Sequence, residues 1–169
     1  MKNIFLIIAS LITILMGCDI FDNSNKGTFI YPNTNVQTLV HDDLTREYIL
    51  YIPDSYDGTS ALPLMMNFHG YSQNAGEYII EADMRQLAES DTFILVYPQG
   101  SYLNGLSFWN PCPAGGDNKS DVNDFGFVES MIRKISTQYN LNMERIYAAG
   151  FSNGGMMAYG LANYKSDII

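Results

Sequence analysis

Arg145-Ile146-Tyr147-Ala148-Ala149-Gly150-Phe151-Ser152-Asn153-Gly154-Gly155 is the stretch on which the reading of this chain turns. Its first five residues are a short β-rich run. The segment that follows, Asn153–Tyr164, carries Met156, Met157, Tyr159, Gly160 and Ala162 at helical spacing. A strand that becomes a helix within five residues has little room. Small residues two before and two after the serine, Gly150 and Gly154, let strand and helix approach without a side-chain collision, and the serine between them is held in a strained turn. That turn lifts the Ser152 hydroxyl above the sheet and points a helix N-terminus at it, where developing negative charge is favoured. The competing reading is a glycine-rich turn in which Ser152 only caps the helix. The position between a buried strand and a helix favours the first.

Outward from that turn, residues 62–68, 93–97 and 145–149 are nearly unbroken apolar runs ending at His69-Gly70, Pro98 and Gly150. Runs without alternation suit strands buried on both faces, as in a parallel sheet. Residues 36–40 and 46–52, separated by His41-Asp42-Asp43-Leu44-Thr45, predict an antiparallel pair. Helices are predicted over 77–90, with Asn74 as a cap, and over 124–139. Residues 99–120, rich in Gly, Pro and Asn around Trp109, predict a long loop. The order hairpin, strand, helix, strand, helix, strand, helix gives an α/β fold, a mostly parallel sheet with flanking helices.

Composition bounds what such a domain can do. With 169 residues, 47% hydrophobic and 16% charged, the chain supports one core and excludes a disordered polypeptide. Nine basic against eighteen acidic residues give a net charge of -9, which repels phosphate backbones and excludes a nucleic-acid partner recognised through a basic patch. Two cysteines and two histidines make no metal-ligand spacing, and no cofactor motif is present. Asp117, Asp121 and Asp124 fall short of a calcium loop, because Lys119 occupies a ligand position and no glutamate closes the loop. They read as a solvated loop and helix N-terminus. No metal is expected.

The N-terminus reads as a targeting segment. Lys2 is followed by an apolar run over 4–16. As a helix this run rises only about 20 Å, short of the roughly 30 Å hydrocarbon core, so it fits a secretory signal better than a membrane span. Its end, Leu15-Met16-Gly17-Cys18, resembles a bacterial lipobox. The resemblance implies that residues 1–17 are a lipoprotein signal peptide, that Cys18 carries lipid, and that the protein is exported and held at a membrane through that anchor; the competing reading is a plain signal peptide with a chance cysteine, which leaves the protein extracellular. Residues 18–35 then form a flexible tether, and 36–169 the folded domain.

Several matched segments make the domain recognisable: Arg46-Glu47-Tyr48 through Ile52-Pro53, His69-Gly70, Tyr97-Pro98-Gln99-Gly100, Trp109-Asn110, Asp124-Phe125-Gly126-Phe127-Val128 and Gly150-Phe151-Ser152-Asn153-Gly154-Gly155-Met156. In this order they resemble the esterases grouped with poly(3-hydroxybutyrate) depolymerases and feruloyl or acetyl-xylan esterases, within the α/β-hydrolase superfamily. The resemblance implies a carboxylic ester hydrolase, with a polyester or acylated polysaccharide as substrate. It makes Ser152 the nucleophile, and the backbone N–H groups of Tyr71 and Asn153 the oxyanion hole. His69 and Gly70 shape the loop that presents Tyr71. Trp109 either lines a substrate groove or anchors the long loop.

Chain order in this fold is serine, acid, histidine. After Ser152 there is no histidine, and Asp167 is the only carboxylate side chain. His41 reads as a solvated turn residue. The expectation is therefore the N-terminal half of a hydrolase fold, apparently truncated after the nucleophile helix and lacking the triad's acid and histidine. A peptidase or other acyl hydrolase of the same fold remains open as an alternative, as does a non-catalytic surface binding lipoprotein.

Overall fold

A computed structural model describes residues 34–169. The segment expected as a signal peptide, Cys18 and the expected tether through residue 33 lie outside the described residues. Strands β1 (Thr34–His41) and β2 (Leu44–Tyr51) form a hairpin, followed by β3 (Leu62–Phe68), α1 (Ala75–Glu81), α2 (Arg85–Asp91) and β4 (Ile94–Pro98). A small hairpin, β5 (Ser101–Leu103) and β6 (Leu106–Phe108), precedes α3 (Asp124–Gln138), β7 (Leu141–Gly150) and α4 (Asn153–Tyr164). The main sheet has the order β1-β2-β4-β3-β7. Strands β3, β4 and β7 run parallel, while the β1–β2 and β2–β4 pairs are antiparallel. The sheet is thus mixed, with its parallel part around β3.

The first hairpin turns on Asp42 and Asp43, at φ 48° and 60°. Two positive φ values in succession match the twist of the flanking strands, and aspartate tolerates them. The turn is therefore only two residues long. β1 begins at Thr34, which pairs with Tyr51, so Thr34 and Asn35 belong to the sheet and not to the tether.

Two elements differ from the sequence reading. The single helix expected over 77–90 is two short helices. Asn74 caps α1 in a reciprocal capping box with Glu77. The break follows because the Tyr97 hydroxyl inserts between the helices: it donates to the Ala82 carbonyl at 2.6 Å and accepts from the Met84 N–H at 3.0 Å. A carboxylate oxygen of Asp83 accepts from the Arg85 N–H at 3.0 Å and starts the second helix. Part of the expected loop over 99–120 is the β5–β6 hairpin, turning on Asn104 and Gly105 at φ 53° and 78°.

Side chains alternate strictly along the sheet. Leu50, Leu64, Met66, Phe68, Ile94, Val96 and Ile146 join a core under α3 and α4, while Tyr51, Leu95 and Tyr97 face α1 and α2. Among the described residues β7 pairs on one side only, with β3. Ile146 is buried beneath the helices, but Tyr147, on the opposite face of the sheet, is 45% exposed, so β7 is not the doubly buried strand that its apolar run predicts.

Candidate active site

Ser152 sits at φ 51° and ψ −115°, between the end of β7 and the first turn of α4. A serine at positive φ is strained, and it is held there by close backbone packing. A Cβ on Gly154 would stand 2.0 Å from the Phe68 carbonyl oxygen, and one on Gly150 would stand 2.5 Å from the Gly154 carbonyl. The Phe151 N–H donates to the Phe68 carbonyl at 3.1 Å, tying the turn to the end of β3. The Ser152 side chain makes no capping hydrogen bond and is exposed. A helix cap is therefore not what this serine provides.

The end of β3 supplies the adjoining loop. The Gly70 N–H donates to Gln73 Oε1 at 2.8 Å, the Ser72 N–H to the Ser107 carbonyl at 2.9 Å, and the Gln73 N–H to the Gly70 carbonyl at 3.3 Å. The Ser107 hydroxyl also donates to the Gln73 carbonyl. Within this braced loop the Tyr71 N–H has no partner among the described residues, and neither does the Asn153 N–H in the first turn of α4. The two strand ends are in contact, since a Cβ on Gly70 would meet the Phe151 ring at 3.1 Å. Two unpartnered amides on adjoining turns suit an acceptor that carries negative charge.

His69 is fully buried. Its Nε2 accepts from the Gly100 N–H at 2.9 Å, so the proton resides on Nδ1, which donates to the Gly70 carbonyl at 2.8 Å. Burial pushes its pKa below the ordinary histidine value, keeping the ring neutral. Both nitrogens are thus occupied in bracing the loop. His41 is not a freely solvated turn residue: its Nδ1 lies 3.1 Å from the Ser130 hydroxyl on α3 and its Nε2 3.3 Å from Asp42. Among the described residues no side chain hydrogen-bonds to Ser152.

Trp109 is completely buried, which corrects the possibility that it lines a substrate groove. Its ring packs edge-on against Phe68 and beside His69, each at 5.1 Å, and its Nε1 donates to the His69 carbonyl at 3.0 Å. The buried Asn153 side chain clamps the Trp109 backbone, accepting from its N–H at 2.7 Å and donating to its carbonyl at 3.1 Å. One residue thus joins the serine turn to the His69 loop.

Asp124 extends this brace and corrects the reading of a solvated helix N-terminus. It is 1% exposed. Its carboxylate pairs with Arg46 at 2.7 Å and accepts from the Asn110 N–H at 2.8 Å, while Arg46 also lies over the Phe127 ring at 4.0 Å. Burial pushes the Asp124 pKa up, opposed by Arg46 and the Asn110 N–H. Asn110 in turn holds the 118–122 segment, donating to the Val122 carbonyl and accepting from the Lys119 N–H. Sequence reasoning included Arg46, Asn110 and Asp124 in the family pattern without a role. Their partners lie up to 78 residues away, and no local signal links them.

The fold is shared with solved esterase structures. An acetyl xylan esterase from Aspergillus awamori superposes with a TM-score of 0.66 at 15% identity, over 80% of this chain and 49% of that one. A ferulic acid esterase structure gives 0.63 at 19% identity, over 80% of this chain and 56% of that one. In sequence, the chain is 30% identical to a bifunctional acetylxylan esterase/xylanase of Neocallimastix patriciarum, over 68% of this chain and 15% of that protein. It is 28% identical to feruloyl esterase B of Thermothelomyces thermophilus, over 70% of this chain and 40% of that protein. The chain thus spans less than half the length of these curated relatives. Since residues 46–168 match the family described as esterase PHB depolymerase, the chain belongs to that family of ester hydrolases, on an α/β-hydrolase fold.

Proposed function

We propose that this chain carries the nucleophile and oxyanion hole of an exported, lipid-anchored carboxylic ester hydrolase acting on acylated polysaccharide or polyester. The observation that carries the reading is the strained, exposed Ser152 beside two unpartnered amides, those of Tyr71 and Asn153. In the proposed reaction Ser152 Oγ attacks the ester carbonyl and its proton passes to a general base. The carbonyl oxygen gains charge and takes both N–H groups, each such donor being worth on the order of 3 kcal/mol in the transition state. The alcohol leaves with the proton, and water repeats the sequence on the acyl-serine. The base and its acid are assigned to residues outside these 169, since both ring nitrogens of His69 are engaged and His41 faces Ser130. Export and the anchor at Cys18 rest on the signal-like residues 1–18.

Imidazole can stand in for the missing base. The chain alone is expected to hydrolyse p-nitrophenyl acetate only slightly, since removing triad members leaves about 10³- to 10⁴-fold catalysis over water. Added imidazole should raise the rate above its own solution catalysis, and Ser152→Ala should remove the increment. No Ser152-dependent rate with imidazole would overturn the proposal. Robust turnover without it would show a base within the chain.

A further inference from the structure

The hydrogen bonds that brace the loop after β3 hold residues 70, 72 and 73 and pass over Tyr71 itself. Its N–H is unpartnered, and among the described residues its side chain makes no hydrogen bond and no ring–ring contact. The peptide plane that carries this N–H turns with the backbone of Tyr71, so a contact that fixes the side chain also steadies the amide. One charged group meets the ring. The Lys119 ammonium stands over it, 4.9 Å from the ring centroid, inside the roughly 6 Å reach of a cation–π attraction.

Lys119 is held from behind on both flanks. The buried Asn110 side chain accepts from the N–H groups of Lys119 and Ser120 at 3.0 and 3.3 Å, and donates to the Ser120 hydroxyl at 3.0 Å. Asn118 accepts from the Cys112 N–H at 3.1 Å and donates to the Cys112 carbonyl at 2.9 Å. The Asn110 N–H ends on Asp124, whose ion pair with Arg46 is buried. The backbone from which the ammonium reaches Tyr71 is thus anchored in the core. Acidic residues outnumber basic ones by 18 to 9, yet among the described residues no carboxylate lies within ion-pair distance of Lys119. Its charge is left to the tyrosine ring.

We infer that Lys119 is a positioning residue for the oxyanion amide of Tyr71. Arg46, Asp124, Asn110 and Lys119 form a line of contacts that ends on the Tyr71 ring, and through that ring the N–H between braced residues 70 and 72 keeps one direction. The inference rests on the hydrolase reading, in which Tyr71 is an oxyanion donor. Lys119 touches neither the ester nor Ser152 in this role and acts through Tyr71. An exposed cation–π contact biases a conformation about two- to fivefold, well short of the roughly hundredfold loss expected on removing an oxyanion donor outright. The expected effect is therefore a tuning of the site.

The test pairs ¹⁵N relaxation of the 169-residue chain with its imidazole-assisted hydrolysis of p-nitrophenyl acetate. Lys119→Met should lower the Tyr71 amide order parameter from roughly 0.85 toward 0.6, and Lys119→Arg should restore it. The Ser152-dependent kcat should fall about two- to fivefold in Lys119→Met at unchanged KM, and recover in Lys119→Arg. In a Tyr71→Leu background, Lys119→Met should cost nothing further. Arg145→Met, which removes an equal charge elsewhere, should leave both readouts unchanged. An unchanged Tyr71 order parameter in Lys119→Met would overturn the inference whatever the rates. An equal kcat loss in the Tyr71→Leu background, or the same loss in Arg145→Met, would overturn it too, since charge alone would then be acting. A wild-type chain with no Ser152-dependent rate would instead sink the hydrolase reading, while the order parameter still decides whether Lys119 holds Tyr71.

Discussion

The two faces of the sheet are built very differently. Beneath α3 and α4 a continuous core joins Leu64, Met66, Phe68, Phe127, Met131 and Trp109, and the buried polar groups on that side are threaded into it. On the other face α1 and α2, each seven residues long, cover a smaller cluster around Tyr78, Ile79 and Tyr97. The serine turn and the His69 loop draw their support from the thicker face, through Asn153, Trp109 and Asp124. A turn held at unfavourable φ needs surroundings that over-determine it, and the thick face supplies them.

Three changes probe that asymmetry. The largest effect is expected from Trp109→Ala, which empties a fully buried site and severs the indole's hydrogen bond to the His69 carbonyl while leaving the backbone clamp by Asn153; the loss should approach about 5 kcal/mol. That is a third or more of the roughly 5–15 kcal/mol of an ordinary domain, so urea unfolding followed by far-UV circular dichroism should show the midpoint fall steeply. A transition of undiminished midpoint would mean that the thick face does not depend on this residue. Ile79→Val on the thinner face should cost about 1 kcal/mol and leave the transition cooperative. A larger loss would show that the two faces are equally demanding.

The smallest effect is a pH dependence centred on His69. Its folded pKa is depressed by burial, so below about pH 6.5 the unfolded chain takes up a proton that the folded one resists. Stability from this group is present above that pH and is lost as pH falls toward the depressed value. His69→Gln can keep a donor and an acceptor in the loop, and should flatten the slope between pH 6.5 and 5 in the same unfolding experiment. An unchanged slope would place the dependence on another group.

Local patterns reached far into this fold. The three parallel strands, the β1–β2 hairpin and α3 follow from apolar runs and helical spacing, because burial on one or both faces leaves its period in the sequence. The β5–β6 hairpin was legible too, since Asn104-Gly105 between Ser101-Tyr102-Leu103 and Leu106-Ser107-Phe108 is a strong turn signal, although the surrounding Gly and Pro residues drew the reading toward a loop. The break between α1 and α2 was not legible, because it depends on the Tyr97 hydroxyl arriving from the neighbouring strand.

By itself the sequence determined that Ser152 lies at a strand-to-helix turn flanked by obligatory glycines, since sterics at such a turn act within five residues. Its unbroken apolar runs also determined that β3 and β4 are buried on both faces. Only the tertiary structure decided that Trp109 is a buried brace, that Asp124 is an internal ion-pair partner of Arg46, and that both ring nitrogens of His69 are engaged in the loop. Each of these outcomes depends on a partner that the chain brings from 31 to 78 residues away. Hydrogen bonds and burial over such separations leave no period in the sequence, and so they appear only once the sheet has set its strand ends side by side.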